Sequence, residues 1–167
     1  MNECGYDYVT FGKHDFSYGM EYLNEYATKL NATAVCQNLL NQNGDYLLQY
    51  QIKTLENGMK VGIVTDYVNE WEKLSNIENI KIVDPFEQAK NGLAELKDQV
   101  DVTICMYHGG FECDLATNKL LSETSENIAY KICEEFEFDL LLTGHQHMSI
   151  EGQLICGTYV FQPKENA

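Results

Sequence analysis

The stretch Leu141-Leu142-Thr143-Gly144-His145-Gln146-His147 decides how the rest of this chain is interpreted. The apolar run 138–142 predicts a strand that is buried on both faces, as in a sheet covered by helices. Ligands of open α/β sheets bind at the carboxyl ends of such strands. Two histidines one residue apart at that place suit a divalent transition metal. The alternative interpretation is a pair of solvated loop histidines.

Two more predicted strands end in loops that carry a histidine beside a glycine, GKHD at 12–15 and YHGG at 107–110. The four histidines of the chain, His14, His108, His145 and His147, all lie in these three loops. We expect the loops to converge, because the carboxyl ends of parallel strands share one edge of the sheet. Converging imidazoles suit Zn²⁺, Mn²⁺ or Fe better than Mg²⁺ or Ca²⁺. Asp15 follows His14 and is placed to orient an imidazole that acts as a general acid.

The remaining pattern alternates strands with helices and predicts an α/β fold. The predicted strands are 6–11, 34–36, 46–55, 59–65, 100–106, 138–142, 152–156 and 158–161. Helices are predicted to begin at Met20, at Asp84 with Pro85 in the first turn, and after Ser125 as N-cap. The dipeptide Asn57-Gly58 predicts a tight hairpin, and 37–45 and 66–79 are predicted loops.

Length and charge limit the classes of function. The chain has 167 residues, 44% of them hydrophobic, which predicts one domain over 1–167. With 11 Lys and Arg against 26 Asp and Glu, the net charge is -15 and repels nucleic acid polymers and acidic membrane surfaces. It repels phosphate esters too, so a phosphate site needs metal ions to supply positive charge. No apolar run is long enough to span a membrane, and residues 1–10 lack the features of a signal peptide.

The six cysteines form no CxxC pair. Cys36, Cys105 and Cys133 lie in apolar segments, so we expect them to be buried free thiols. Cys113, between two acidic residues near a candidate site, is left open.

Four blocks of the chain resemble the calcineurin-like metallophosphoesterases, and among them the bacterial 5'-nucleotidase and 2',3'-cyclic-nucleotide 2'-phosphodiesterase branch. The blocks are GKHDFSYG at 12–19, YHGGFE at 107–112, ENIAY at 126–130 and LTGHQH at 142–147. The resemblance implies two mixed sheets sandwiched between helices. It implies hydrolysis of phosphoric esters of nucleotides with two divalent metal ions, drawn from Mn, Zn, Fe and Mg. It also implies a protein of a kind that is often exported, although the sequence itself indicates no compartment.

The same resemblance assigns roles to individual residues. His108 and His145 would bind one metal and His147 the other. His14 would stabilise the transition state or protonate the leaving oxygen, steadied by Asp15. Lys13 stands where the family has an asparagine that binds a metal, and an ammonium group has no lone pair to offer a cation.

The resemblance also predicts an incomplete chain. The family pattern begins with upstream blocks that supply the remaining ligands, and nothing in this sequence matches them. We therefore expect a partial catalytic domain, truncated at the N-terminus and near the C-terminus, with at most one weak metal site and no activity alone. Its partners would be a nucleotide or other phosphate ester, together with a complementing N-terminal segment or a second copy, because an unfinished sheet exposes an apolar edge. The alternative is a non-catalytic remnant that binds phosphate or metal, with Lys13 contacting the phosphate.

Overall fold

The computed structural model of the chain describes residues 1–67 and 80–164. Within these ranges the strands are β1 (Tyr8–Val9), β2 (Thr33–Ala34), β3 (Cys36–Asn41), β4 (Tyr46–Leu48), β5 (Gln51–Thr54), β6 (Lys60–Tyr67), β7 (Ile80–Ile82), β8 (Val102–His108), β9 (Leu140–Thr143), β10 (Ile150–Ile155) and β11 (Thr158–Gln162). The α-helices are α1 (Gly19–Thr28), α2 (Pro85–Leu96) and α3 (Ala129–Glu135). Short helical turns cover Asn2–Cys4 and Lys13–Phe16. No helix in the described ranges has the length and apolarity that crossing a membrane requires.

The predicted α/β class is confirmed by a six-stranded mixed sheet with the order β10-β11-β9-β8-β6-β5. Strands β6, β8, β9 and β11 are mutually parallel, and β5 and β10 run antiparallel at the two edges. Helix α2 lies between β6 and β8 in the chain, and α3 between β8 and β9. A three-stranded antiparallel sheet, β4-β3-β7, and a two-stranded parallel sheet, β1-β2, complete the described strands.

The two faces of the main sheet differ in burial. Alternate residues of β8, β9 and β11, such as Cys105, Leu141 and Val160, are fully buried and pack with α2 and α3 in the main core. The opposite face carries the row Met106–Leu142–Phe161, aligned across the three strands by their register. Phe161 is 40% exposed there, and Tyr159 in the next row is 49% exposed. We call this apolar, partly exposed side the open face.

Several local predictions are confirmed. Asp84 accepts a hydrogen bond from the Glu87 amide at 3.0 Å, with Pro85 as the first helical residue, so α2 has the predicted N-cap. The hairpin at Asn57-Gly58 joins β5 to β6, with Gly58 at a φ of 86°. Glycine reaches that left-handed conformation without a steric penalty.

Four predictions of secondary structure are corrected. The predicted strand 46–55 is two strands, β4 and β5, because the chain leaves the small sheet and enters the main one between them. Only 8–9 of the predicted strand 6–11 is paired. The predicted loop 37–45 begins as strand β3, in which Asn38 is buried because its amide donates to the Val83 carbonyl at 3.1 Å. In the predicted loop 66–79, residues 66 and 67 end β6, and 68–79 lie outside the described residues.

A fifth correction concerns the start of α3. The helix begins at Ala129, and Ser125 is not its N-cap. The Glu112 carboxylate instead accepts hydrogen bonds from the Tyr130 and Lys131 amides, at 3.0 and 2.8 Å. The acceptor for the first turn therefore comes from the loop after β8 rather than from the residues that precede the helix.

Candidate functional site

The loops after β8 and β9 meet at one edge of the main sheet. Strand β8 ends at His108, and the Gly144 amide donates to the Gly109 carbonyl at 3.1 Å. This contact brings His145 beside His108, with ring centroids 5.3 Å apart and ring planes at 62°. Two of the predicted site histidines are thus neighbours in the structure.

The third histidine loop also reaches this edge. A Cβ placed on Gly12 would lie 2.6 Å from Cε1 of His108, so only glycine allows this close approach. Asp15 accepts a hydrogen bond from the Gly12 amide at 2.7 Å and thereby closes the short turn that carries His14. The His14 side chain is exposed. Lys13 begins the same turn, and its side chain is outside what the structure describes.

The loop after β9 has an unusual backbone. His145 and His147 have φ angles of 69° and 57°, in the left-handed region that non-glycine residues adopt infrequently. The side chain of Gln146 holds this loop, because it donates to the Phe111 carbonyl and accepts from the Phe111 amide, both at 2.7 Å. His147 is exposed, unlike its partly buried neighbour His145.

The carboxylate of Glu126 contacts one histidine of the pair. Oε1 of Glu126 is 2.7 Å from Nε2 of His145, and the two side chains are only 28% and 14% exposed. The next residue, Asn127, is buried and accepts a hydrogen bond from the Gly110 amide at 2.8 Å. The segment 126–127 therefore braces both loops from the side of α3.

The sequence did not indicate Glu126, Asn127 or Gln146 as site residues. Each makes its contact with a residue 17 to 35 positions away in the chain. Local periodicity carries no signal for such contacts. The only available indication was that all three lie inside the blocks 126–130 and 142–147 that carry the family resemblance.

The cysteine near the site, left open by the sequence, is a buried thiol. Burial raises the pKa of Cys113, and the carboxylates of Glu112 and Asp114 raise it further. The thiol is therefore protonated near neutral pH, which argues against a nucleophilic role. The predicted burial of Cys36, Cys105 and Cys133 is confirmed.

The described residues do not complete a metal centre. Within 1–67 and 80–164, no group of three or more His, Cys, Asp or Glu side chains is placed to hold a metal ion. A catalytic zinc ordinarily has three protein ligands. His108 and His145 supply at most two imidazoles at one point, and one nitrogen of His145 already bonds to Glu126.

Comparison with known proteins identifies the family. The calcineurin-like phosphoesterase model matches residues 2–149. The trifunctional nucleotide phosphoesterase protein YfkN of Bacillus subtilis is 25% identical over an alignment of 161 positions that covers 88% of this chain and 11% of YfkN. The 2',3'-cyclic-nucleotide 2'-phosphodiesterase/3'-nucleotidase of Haemophilus influenzae is 22% identical over an alignment of 161 positions that covers 88% of this chain and 24% of that protein.

A solved structure gives the same result for the fold. The crystal structure of a candidate 5'-nucleotidase from Staphylococcus aureus, in complex with alpha-ketoglutarate, superimposes with a TM-score of 0.88 and 29% identity. The match covers 98% of this chain and 33% of that one, so the chain spans only a fraction of the proteins it resembles. Members of the matching family hydrolyse phosphoric esters and use divalent metal ions. The chain belongs to the calcineurin-like phosphoesterase family.

Proposed function

We propose that this chain is the histidine-bearing part of a metal-dependent hydrolase of nucleotide phosphoric esters, of the 5'-nucleotidase and 2',3'-cyclic phosphodiesterase type. The observation that carries the proposal is the His108–His145 pair, 5.3 Å between ring centroids, at the strand ends where Gly12 packs against His108. The names of the relatives support nucleotides as the substrate class. In this proposal, 1–167 is a single partial catalytic domain.

The chain alone has at most one weak site for a divalent cation of the Mn, Zn, Fe or Mg class, with His108 and His145 as its ligands. His147 belongs to a second site, whose other ligands a different segment would supply. The different burial of the two residues supports this division, because His147 is exposed and His145 is partly buried. When bound, the cations would supply the positive charge that a phosphate requires in a chain of net charge -15.

His14 is the proposed proton donor to the leaving oxygen. Its side chain is exposed on the turn that Asp15 closes, and the adjoining Gly12 packs against His108. An exposed imidazole on an ordered turn, next to the histidine pair, is accessible to a bound ester. The contribution of Asp15 in this arrangement is to order the turn through the Gly12 amide.

The open face of the main sheet supports a complementing N-terminal segment as the protein partner. Its rows of apolar side chains include Phe161 at 40%, Tyr159 at 49% and Leu154 at 70% exposure. Exposed apolar rows on adjacent strands favour coverage by further polypeptide. A segment that brings its own metal ligands to this edge would cover the face and complete the site. A second copy of the chain would cover the face without adding the missing ligands.

A second candidate function is a non-catalytic module that binds phosphate. The incomplete donor set favours it, because phosphate binding through Lys13 and backbone amides needs no metal ion. Nucleotide binding that persists in the presence of a chelator would support this candidate over the first.

The test is a calorimetric titration of the metal-stripped chain with Mn²⁺. We expect weak binding with a stoichiometry of at most one, lost in His145→Ala. The matched control is Glu95→Gln, which removes a carboxylate from the exposed side of α2 and checks for unspecific binding to the acidic surface. Equal binding in all three proteins, or none in the unmodified chain, contradicts the proposed site. If the chain binds Mn²⁺ as expected, addition of a peptide that carries further metal ligands should bring phosphodiester hydrolysis.

A further inference from the structure

The contact between Glu126 and His145 fixes the position of a proton. Nε2 of His145 lies 2.7 Å from Oε1 of Glu126. An ionised carboxylate can only accept hydrogen bonds, so the hydrogen in this contact is on Nε2. A neutral imidazole with hydrogen on Nε2 has its lone pair on Nδ1. The geometry thus distinguishes the two nitrogens of His145. Only Nδ1 has a lone pair with which to coordinate a cation.

Both partners of this contact are held by their surroundings. The buried hydroxyl of Tyr107 donates to the backbone carbonyl of Glu126 at 2.9 Å. On the other side, Gln146 bonds both backbone groups of Phe111 and thereby fixes the residue that follows His145. The side chains of Glu126 and His145 are mostly screened from water, with exposed fractions of 28% and 14% respectively. A hydrogen bond between fixed, partly desolvated groups orients the ring more strongly than one at the surface.

We propose that Glu126 is a positioning residue that holds His145 as its Nε2–H tautomer, with Nδ1 as the only nitrogen presented to a cation. This inference rests on the proposed function for its purpose, but the tautomer itself is a property of the chain without metal. Carboxylates commonly fix the tautomer of metal-binding histidines in this way. The incomplete donor set of the described residues is consistent with the assignment, because the Glu126 carboxylate bonds a ring nitrogen of His145 and is not an additional ligand.

The tautomer is measured by long-range ¹H–¹⁵N correlation spectra of the ¹⁵N-labelled, metal-free full chain at mildly alkaline pH. His145→Ala assigns the signals. We expect the unmodified chain to show His145 as a single Nε2–H tautomer. Glu126→Ala should lose this preference and give averaged nitrogen shifts, and Glu126→Gln should retain it because an amide oxygen still accepts the hydrogen bond. Glu123→Gln, an exposed carboxylate of the same loop, is the matched control and should change nothing.

Three outcomes overturn the inference: an Nδ1–H tautomer in the unmodified chain, an averaged tautomer there, or an unchanged tautomer in folded Glu126→Ala. If Glu126→Ala fails to fold, the unmodified chain and Glu126→Gln still test the assignment. Zn²⁺ titration of the same samples separates this inference from the proposed function. A fixed tautomer without zinc binding retains the positioning role and removes the metal site. Zinc binding that shifts Nε2 instead of Nδ1 removes the positioning role and retains the site.

Discussion

Gln146 bonds both backbone groups of Phe111, accepting from its amide and donating to its carbonyl at 2.7 Å each. These two hydrogen bonds join the loop after β9 to the loop after β8, so the two histidine loops form one hydrogen-bonded unit. The close approach also requires glycine at 110, since a Cβ there would overlap the Gln146 amide.

Gln146→Ala should destabilise the chain by about 2 kcal/mol, because it leaves two partly buried backbone groups of Phe111 without their partner. Urea unfolding followed by circular dichroism measures the change. The matched control is Gln153→Ala, which changes an exposed glutamine of β10 and should stay within about 0.5 kcal/mol of the unmodified chain. Equal effects of the two substitutions would contradict the bracing role of Gln146.

Asp84→Ala should cost about 1 kcal/mol of stability, because the Glu87 amide at the start of α2 loses its acceptor. The same urea measurement serves here. Asp98→Ala, an exposed aspartate just after the same helix, removes an equal charge without removing a cap and should have little effect. A loss of stability in Asp98→Ala as large as in Asp84→Ala would attribute the effect to charge rather than to capping.

Cysteine labelling should divide the six thiols into two groups. Cys4 and Cys156 are exposed and should react with a maleimide in the folded chain, and the four buried cysteines should react only after unfolding. Mass spectrometry counts the labels at each stage. Cys156→Ser should remove one fast-reacting site, and rapid labelling of Cys133 in native buffer would contradict the packing of α3.

Stability should fall as the pH rises above about 9. Burial, with a smaller contribution from Cys156, raises the pKa of Cys133 from 9.0 to about 12. Below 9.0 the thiol is protonated in both states, so it contributes no pH dependence there. Between 9.0 and about 12 the unfolded chain loses this proton and the folded chain keeps it, so unfolding becomes more favourable.

The measurement for this prediction is the free energy of unfolding in urea at a series of alkaline pH values. Cys133→Ala should show a smaller decline than the unmodified chain. Cys4→Ala, which removes an exposed thiol, should show the full decline. Identical slopes in all three proteins would mean that other groups cause the alkaline loss.

Lys13→Asn should strengthen binding of Mn²⁺ by about tenfold, because it removes a positive charge from the turn that follows Gly12 and restores the asparagine that the family resemblance implies as a metal ligand. Calorimetry measures the affinity. Lys81→Asn makes the same change of charge on the exposed side of β7 and should leave the affinity nearly unchanged. An equal gain in both variants would indicate a general effect of net charge.

The parts of the fold that the sequence could predict are those encoded locally. The buried strands around Cys105 and Leu141, the N-cap at Asp84 and the hairpin at Gly58 each depend on neighbours within a few residues. Convergence of His108 and His145 followed from the rule that parallel strands end at one sheet edge.

The remaining features depend on contacts between distant residues. Glu112 bonds the first amides of α3 from 18 and 19 residues away, so the sequence around Ser125 could not indicate the true acceptor. Asn38 is buried because a carbonyl 45 residues away accepts its amide, and its polarity alone indicated a loop. The contact of Glu126 with His145 is of the same kind, which is why the predicted site residues did not include Glu126.

The left-handed backbone of His145 and His147 also limits how this loop can evolve. At φ angles of 69° and 57°, asparagine and aspartate are, with glycine, the residues that replace histidine at low conformational energy, and β-branched residues are strongly disfavoured. Single substitutions that preserve the loop therefore lead from imidazole to a carboxylate or amide side chain, or to glycine, which has no side chain. The set of substitutions open to natural drift at these two positions is determined by backbone geometry before any selection on chemistry acts.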